Sequence, residues 1–295
     1  MQARMPRPTP RHAGALLALL AAACTHAPMQ RETPVERVTA HPIELPASAQ
    51  QGSLLIGRAD PKAIVMVGGR RLRISPDGRF VFGIGRDATG AFEVSVQPPG
   101  TVATMHVITV LPRDWPVERI VGAPPETVNP PADIVARIDR EQARVSAART
   151  RDDDRDDYQQ SFKWPVQGRI SGRFGNQRIY VLPDGSEAPK APHSGMDIAA
   201  PEGTPVLAPA AGVVTFADPD LYLTGGTVLL DHGHGVSSNF LHLSRIDVHV
   251  GDRVMQGEVI GAVGATGRTT GPHLHWGMNW FQTRIDPLLV LEPGK

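Results

Sequence analysis

The sequence predicts a mainly β protein that divides into two folded parts, and three observations lead to this fold class. Glycine and proline are abundant, with 30 and 28 residues, and follow no repeating period, which is typical of turn-rich β structure. Short runs of alternating apolar and polar residues recur between these turns. Apolar residues make up 41% of the 295 residues, enough for a buried core, and this length suffices for two domains of ordinary size.

The charge and the cysteine content exclude one class of partner and one kind of cross-link. The chain has 30 basic and 30 acidic residues and a formal net charge of +0. It therefore lacks the basic excess that is typical of nucleic-acid-binding proteins, and we expect no nucleic-acid partner. Cys24 is the single cysteine, so no disulfide can form within the chain.

The first 24 residues have the features of an export signal. Residues 13–23 form an apolar run that is too short to span a bilayer, and positive charges precede it. These charges are Arg4, Arg7 and Arg11. The order of charge, apolar run and polar sequence predicts a signal peptide over residues 1–24 and an exported, periplasmic protein.

The end of this signal is similar to a lipoprotein processing site. Residues 20–24 (LAAAC) resemble a bacterial lipobox, in which the cysteine is lipidated and becomes the mature N-terminus. The pattern predicts a membrane anchor at Cys24, and Thr25 suits an outer-membrane lipoprotein. Ordinary signal-peptidase cleavage after Ala23 is the competing interpretation. Residues 25–51, rich in proline and charge without a period, are predicted to be a flexible tether.

Residues 52–112 are predicted to form a small antiparallel β domain. The strand at 63–67 is followed by two glycines, a turn that favours a hairpin with residues 71–74. Further strands are predicted at residues 80–82, 91–96 and 105–110. This region contains no cluster of catalytic residue types.

Residues 113–160 are predicted to be a linker that contains one helix. Asp133 is expected to cap a helix with a thin apolar stripe. The stripe consists of Ile134, Ile138 and Val145. The charged run 151–157 is typical of a solvated face or linker, and it divides the chain. Residues 161–295 are predicted to form the second folded part, built from short strands and glycine turns.

Candidate metal ligands are concentrated in this second part. His193 and Asp197 lie four residues apart, in a stretch whose glycine and flanking prolines disfavour a helix. His273 and His275 lie two residues apart, so on a β-strand both side chains point to the same face. His242 stands alone between two leucines.

This set of residue types suits a catalytic zinc ion. Zinc binds imidazole nitrogen and carboxylate oxygen, and a catalytic site has three protein ligands plus water. His193 and Asp197 would supply two ligands, and the His-x-His segment would supply the third. Two histidines would then remain near the metal and be free to transfer protons.

Four segments of this half resemble the lysostaphin/LytM-type zinc metallopeptidases, in the order and at the separations typical of that family. They are residues 192–201 (PHSGMDIAAP), 231–233 (DHG), 241–244 (LHLS) and 267–276 (GRTTGPHLHW). The resemblance covers about residues 164–290. It implies a duplicated hybrid motif, an antiparallel β-sheet catalytic domain with an open groove.

The resemblance also implies a role for each residue. His193, Asp197 and His275 match the zinc ligands, and His242 and His273 match the pair that helps to activate water and stabilise the transition state. The implied protein is a zinc-dependent endopeptidase that hydrolyses peptide cross-links between the peptide stems of bacterial peptidoglycan. In a Gram-negative periplasm, the expected bond joins D-alanine to diaminopimelic acid.

Three other interpretations compete with this one. The glycine-rich hairpin after residue 251 is similar to a biotinyl or lipoyl carrier, but it has no lysine to take the cofactor. Asp231, His232 and His234 are candidates for a second metal site, although a polar hairpin turn is favoured. Some relatives that have lost zinc ligands act as non-catalytic regulators of other wall hydrolases. Because every ligand position is filled here, an enzyme is favoured over such a regulator.

Overall fold

Strands dominate the computed structural model, which describes residues 42–291 and confirms the mainly β fold class. The predicted signal peptide, Cys24 and residues 25–41 of the predicted tether lie outside the described residues. Among residues 42–291, no helix is both long enough and apolar enough to cross a membrane.

The N-terminal strands form a five-stranded sheet and a separate strand pair. They are β1 (Ser48–Gln50), β2 (Leu54–Arg58), β3 (Ile64–Val67), β4 (Arg70–Arg71), β5 (Arg79–Gly83), β6 (Ala91–Gln97) and β7 (Thr104–Leu111). The sheet has the order β1-β7-β6-β3-β4, and β2 pairs with β5. All of these pairs are antiparallel except β1 with β7. In β3, Val65 and Val67 are buried and their neighbours half-buried, which is the alternation that one covered sheet face requires.

The end of the predicted tether belongs to the sheet. Strand β1 pairs in parallel with β7, and Glu44 forms a bridge with Arg58. Ile43 and Leu45 are partly buried and pack against the hydrophobic core. Burial of these two side chains orders the segment that a proline-rich composition led us to assign to a flexible tether.

The region between the two predicted parts contributes a strand and a long helix. It contains β8 (Val117–Val121), the single turn α1 (Pro125–Val128) and α2 (Ala132–Ala148). The expectation that Asp133 caps α2 is wrong, because Pro131 occupies the N-cap with extended backbone and no side chain caps the helix. Asp133 lies in the first turn instead, where a carboxylate interacts favourably with the helix dipole.

The charged run after α2 is only partly solvated. Asp157 is buried and receives two hydrogen bonds of 2.6 Å from the guanidinium group of Arg253. Arg155 contacts the buried carboxylate of Asp231. Burial of a carboxylate is tolerated here because each acid is paired and hydrogen-bonded, so this run fastens the linker to the C-terminal part.

The C-terminal part is built around an eight-stranded sheet. Its elements are β9 (Arg169–Gly172), β10 (Gln177–Val181), β11 (Glu187–Pro189), β12 (Met196–Ala199), β13 (Pro205–Leu207), β14 (Gly212–Leu221), β15 (Gly225–Gly233), β16 (Val236–Leu243), β17 (Arg245–Ile246), β18 (Arg253–Val254), β19 (Val259–Ala262), β20 (His273–Trp280), β21 (Thr283–Ile285) and α3 (Pro287–Leu291). The strand order is β18-β14-β15-β16-β20-β12-β9, with β21 on β20. All pairs in this sheet are antiparallel.

Two features tie the N-terminal and C-terminal strands together. Strand β8 pairs in parallel with β10 over five residues, so the predicted linker supplies part of a C-terminal sheet. The buried aromatic side chains of β5 and the apolar side chains of β20 and β21 belong to one hydrophobic cluster. The described residues therefore lie within a single compact unit.

Candidate metal centre

Strands β12 and β20 place a carboxylate directly opposite an imidazole. Asp197 of β12 and His275 of β20 are cross-strand partners in antiparallel register. Leu274 and Trp276 are fully buried in the core. Because successive side chains on a strand alternate between faces, His273 and His275 both lie on the other face, beside Asp197.

His193 reaches this centre from the loop before β12. Its backbone N–H donates to the Asn176 carbonyl, and its carbonyl accepts from the Gly175 N–H, both at 2.9 Å. Its Nδ1 lies 3.0 Å from the Arg173 carbonyl oxygen. Since a carbonyl only accepts, Nδ1 carries the proton and the Nε2 lone pair is left for another partner.

The ligand atoms of His193, Asp197 and His275 converge to form a triangle. His193 Nε2 lies 3.0 Å from Asp197 Oδ1 and 3.0 Å from His275 Nδ1, and the third side measures 2.9 Å. All three side chains are buried. A lone pair on Nε2 and a carboxylate oxygen repel each other at this distance unless a cation lies near both. The donor set, two imidazole nitrogens and one carboxylate oxygen, therefore fits a divalent metal.

Gly195, midway between His193 and Asp197, leaves room for the side chain of His275. The Nε2 atom of His275 is buried and has no hydrogen-bond partner among the described residues. A Cβ at position 195 would come within 2.7 Å of that nitrogen and 2.5 Å of the Trp276 carbonyl oxygen. The glycine in the His-Ser-Gly-Met-Asp segment is thus needed for close approach, in addition to its effect on the turn.

Arg178 holds the second oxygen of the Asp197 carboxylate, a contact that the sequence analysis missed. Its Nη2 donates to Asp197 Oδ2, and its Nε lies 3.6 Å from a carboxylate oxygen of Glu118. Opposite Asp197, a Cβ on Gly172 would lie 2.6 Å from Oδ2 and 3.0 Å from Arg178 Nη2. Arg178 therefore orients Asp197 so that Oδ1 faces the two imidazoles, as supporting groups around metal ligands commonly do.

The other two histidines present free lone pairs to the same centre. His242 and His273 each have Nδ1 at 2.8 Å from a backbone carbonyl oxygen, of Thr266 and Gly271 respectively. This fixes the proton on Nδ1 and leaves Nε2 as the acceptor in the neutral ring. The two ring centroids are 4.9 Å apart, and His273 Nε2 lies 3.8 Å from Asp197 Oδ1.

His242 adopts a backbone conformation that is unusual for its residue type. Its φ is 65°, in the left-handed region that costs a residue with a Cβ about 1–3 kcal/mol. Its backbone N–H donates to the Thr224 carbonyl at 2.8 Å, which helps to hold it there. His242 thus lies in this conformation near the end of β16, with its ring beside that of His273.

Burial controls the protonation of the centre. It lowers the pKa of His242 to about 3 and that of His275 to about 4, with smaller contributions from neighbouring histidines. Burial alone would raise the pKa of Asp197, but the adjacent side chains of His193 and His275 hold it well below its ordinary value. At neutral pH His242 and His275 are therefore neutral and Asp197 is ionised, the states required for metal binding and proton acceptance.

The centre opens into a basic groove of about 680 Å³, whose wall includes residues 85–88, in the loop between β5 and β6, and Gln142 of α2. Five basic side chains line it against one acidic side chain, Asp87. The basic residues are Arg86, Arg178, Lys190, Arg268 and Arg284. Such a groove attracts a negatively charged ligand.

His232 and His234 lie away from this centre. His232 is fully buried in β15, and its ring nitrogens contact the Ala211 carbonyl oxygen at 2.7 Å and Ser238 Oγ at 2.8 Å. His234 lies in the turn between β15 and β16, in agreement with the hairpin interpretation. Among residues 42–291, the one group of metal-binding side chains that converges is His193, Asp197 and His275.

Comparison with known proteins places the same region within one family. The model of peptidase family M23 matches residues 191–287. A crystal structure described as an M23 peptidase from Pseudomonas aeruginosa superimposes with a TM-score of 0.62 and 31% identity, and the match covers 82% of this chain and 94% of that one.

Two curated relatives match the C-terminal part alone. Peptidoglycan DD-endopeptidase ShyA of Vibrio cholerae is 40% identical over 124 residues, which cover 41% of this chain and 28% of the relative. The DD-carboxypeptidase/endopeptidase Mpg of Neisseria meningitidis is 45% identical over 128 residues, 43% of this chain and 28% of the relative. The chain thus spans less than a third of the length of these curated relatives.

Proposed function

The chain belongs to peptidase family M23, and we propose that it is a zinc-dependent endopeptidase that hydrolyses peptide cross-links in bacterial peptidoglycan. One observation carries this proposal. Three metal-binding atoms converge within 3.0 Å of one another, and two further imidazoles present Nε2 lone pairs on the same open face. Buried side-chain nitrogens are usually hydrogen-bonded within the protein, so these unused lone pairs are available to a metal ion or a substrate.

The residues divide the chemistry between them. His193, Asp197 and His275 would hold the ion, which when bound supplies Lewis-acid polarisation and a water of lowered pKa. The neutral Nε2 of His242 or His273 can accept a proton and return it to the leaving amine. The same imidazole, when protonated, can donate a hydrogen bond to the oxygen on which negative charge develops. Arg178 keeps Asp197 oriented through its contact with Oδ2.

The substrate class follows from the groove and the relatives together. Peptide stems of peptidoglycan carry several free carboxylates, which suit a groove lined by five basic side chains. The names of both curated relatives specify action on bonds between D-residues. We therefore propose that the bond cleaved joins D-alanine to diaminopimelic acid.

Digestion of purified sacculi tests this proposal. The zinc-loaded chain should release new D-alanyl carboxyl termini and new diaminopimelyl amino groups, identified by mass spectrometry. A chelator should stop the reaction and added zinc should restore it, and the matched variant His273→Ala should release neither product. New termini at another bond would overturn the assigned bond, and activity that persists in the chelator would overturn the metal assignment.

A non-catalytic regulator of other wall hydrolases is the alternative. It shares the fold but predicts no product from sacculi with this chain alone. The filled triangle of ligand atoms favours an enzyme. If the chain alone is inert but accelerates digestion by a second wall hydrolase, the regulator is the correct function.

We also propose that the protein is exported and held at the outer membrane through a lipid on Cys24. The supporting feature is the order of positive charge, short apolar run and cysteine in residues 4–24. Fractionation of cells should recover the protein with membranes, whereas Cys24→Ser should accumulate as precursor or become soluble. An unaltered protein found wholly in the soluble fraction would favour cleavage after Ala23.

A further inference from the structure

A second cavity, of about 520 Å³, adjoins the groove on the side of helix α2. The two cavities share part of their lining, including Ser194, Thr224 and Arg284. Ser194 directly follows His193 in the chain. A substrate that lies across the metal centre can therefore extend into this second cavity.

Two arginines line this cavity without an acidic partner among residues 42–291. Arg149, at the C-terminal end of α2, and Arg284, on β21, are both only partly exposed. Among residues 42–291, no carboxylate lies within 4.0 Å of either guanidinium group, whereas twelve other arginines form such ion pairs. Arg149 Nε is buried and has no hydrogen-bond partner in the same region.

The neighbouring acid cannot neutralise them. Glu141 lines the cavity, but its Oε1 accepts from Arg137 at 2.5 Å and its Oε2 accepts from the Tyr222 backbone N–H at 2.8 Å. Arg284 has one neutral partner, the side-chain oxygen of Asn279 at 2.8 Å. Burial lowers the pKa of both guanidinium groups, and with a smaller effect from the charge of Arg284 it brings that of Arg149 to about 9. An arginine side chain nevertheless stays protonated in proteins, so both groups are cationic at neutral pH.

We propose that Arg149 and Arg284 form a carboxylate-binding subsite beside the metal centre, which takes a free carboxylate of the substrate peptide. Two adjacent guanidinium groups offer several N–H donors, and charge-assisted hydrogen bonds to a carboxylate are about twice as strong as neutral ones. A bound carboxylate also removes the cost of leaving these cations unpaired in a cavity. The source of the carboxylate, a wall peptide, rests on the proposed function; the anion-binding chemistry does not.

Binding of amidated peptides tests this subsite. The probe is a synthetic cross-linked stem-peptide dimer, prepared with all carboxylates free and with each carboxylate amidated in turn. Affinity is measured by calorimetry with the full zinc-loaded chain carrying His273→Ala, so that the probe is not consumed. We expect amidation of one carboxylate to weaken binding about ten- to a hundredfold. Arg284→Gln in the same background should weaken binding of the free acid equally and abolish the effect of that amidation.

Matched variants separate the subsite from general effects of charge and folding. Arg140→Gln removes the same charge from an exposed position on α2 that lines neither cavity and should bind like the parent. If Arg284→Gln fails to fold, Arg149→Gln, at the end of the helix, carries the same test. Equal binding of all amidated dimers, equal binding by the arginine variants, or no binding of the free acid would overturn the subsite.

Failure of the subsite can be distinguished from failure of the proposed function. A chain that selects the free carboxylate through Arg284 but cleaves no wall peptide retains the subsite and loses the endopeptidase assignment. A chain that cleaves the cross-link without discriminating amidated peptides retains the endopeptidase assignment and loses the subsite.

Discussion

The eight-stranded sheet carries histidines at two places, with His232 in one group and His242 and His273 in the other. The two groups differ in the partners of their ring nitrogens. At one end of β15, His232 satisfies both nitrogens internally, through a backbone carbonyl and a serine hydroxyl. At the metal centre, His242 and His273 each use one nitrogen internally and keep the other free. Both groups contain buried rings, so burial alone does not separate a structural histidine from a functional one.

This difference indicates that the partner of the second ring nitrogen separates these structural and functional histidines. A histidine with two internal partners has a fixed tautomer and no vacant lone pair, and it contributes to stability. A histidine with one internal partner has a fixed orientation and a lone pair available for a metal or a proton.

Removal of a metal ligand should have the largest effect. His193→Ala and Asp197→Ala each leave two of the three converging atoms, and we expect loss of most bound zinc and of detectable peptidase activity. Metal analysis of the purified chain provides the measurement. His232→Ala, the matched change in the other group, should keep zinc near one per chain. Full zinc in both ligand variants would show that the triangle is not the metal site.

Removal of a free imidazole should slow turnover strongly while sparing the metal. His242→Ala and His273→Ala should lower kcat about a hundred- to ten-thousandfold, because they remove a proton-transferring or oxyanion-stabilising group. Zinc content should stay at the level of the unaltered chain. His249→Ala, at an exposed position, serves as the control. A wild-type rate in either variant would exclude that residue from catalysis.

Removal of the group that orients Asp197 should have an intermediate effect. Arg178→Met should weaken zinc binding about ten- to a hundredfold, the range typical of groups that support metal ligands. Competition with a chelator of known affinity measures the change. Arg245→Met removes an exposed arginine that is paired with Asp247 and should leave zinc affinity unaltered. An unchanged affinity in Arg178→Met would mean that Asp197 needs no support.

The structural histidine should affect stability and its pH dependence, with the smallest effect on activity. Burial lowers the pKa of His232 from 6.5 to about 4, so unfolding takes up a proton between these values and stability is lost as the pH falls through that interval. Over the whole interval, this effect lowers the free energy of unfolding by roughly 3 kcal/mol. Urea unfolding at pH 7 and pH 4.5 should show a smaller difference for His232→Gln than for the unaltered chain. Activity per folded molecule should not change, and an unaltered pH dependence would contradict this account.

The sequence predicted those features that depend on local spacing. The parity of His273 and His275 determines that they share a face, and Pro192 with Gly195 indicates that the segment before β12 is not helical. The mainly β class follows from turn composition in the same way. These features can be predicted from the sequence because they do not depend on which strands become neighbours.

Features that depend on distant pairing escaped the sequence analysis. Arg178 meets Asp197 because β9, β10 and β12 come together, and Arg149 meets Arg284 across more than a hundred residues of sequence. The local signal at Asp133 was misleading, since a proline at position 131 began the helix earlier. Residues 48–50 join a sheet through partners later in the chain, which their own composition does not reveal.

The parallel pairing of β8 with β10 also bears on how the chain can be divided. A fragment that starts at residue 160 retains every side chain of the metal centre but lacks β8, so the five-residue edge of β10 loses its partner. Unpaired N–H and C=O groups along a strand edge recruit the edges of other molecules. Self-association through this edge is therefore expected of the isolated C-terminal fragment, whereas a chain that retains the N-terminal strands keeps both the β8 pair and the shared hydrophobic cluster.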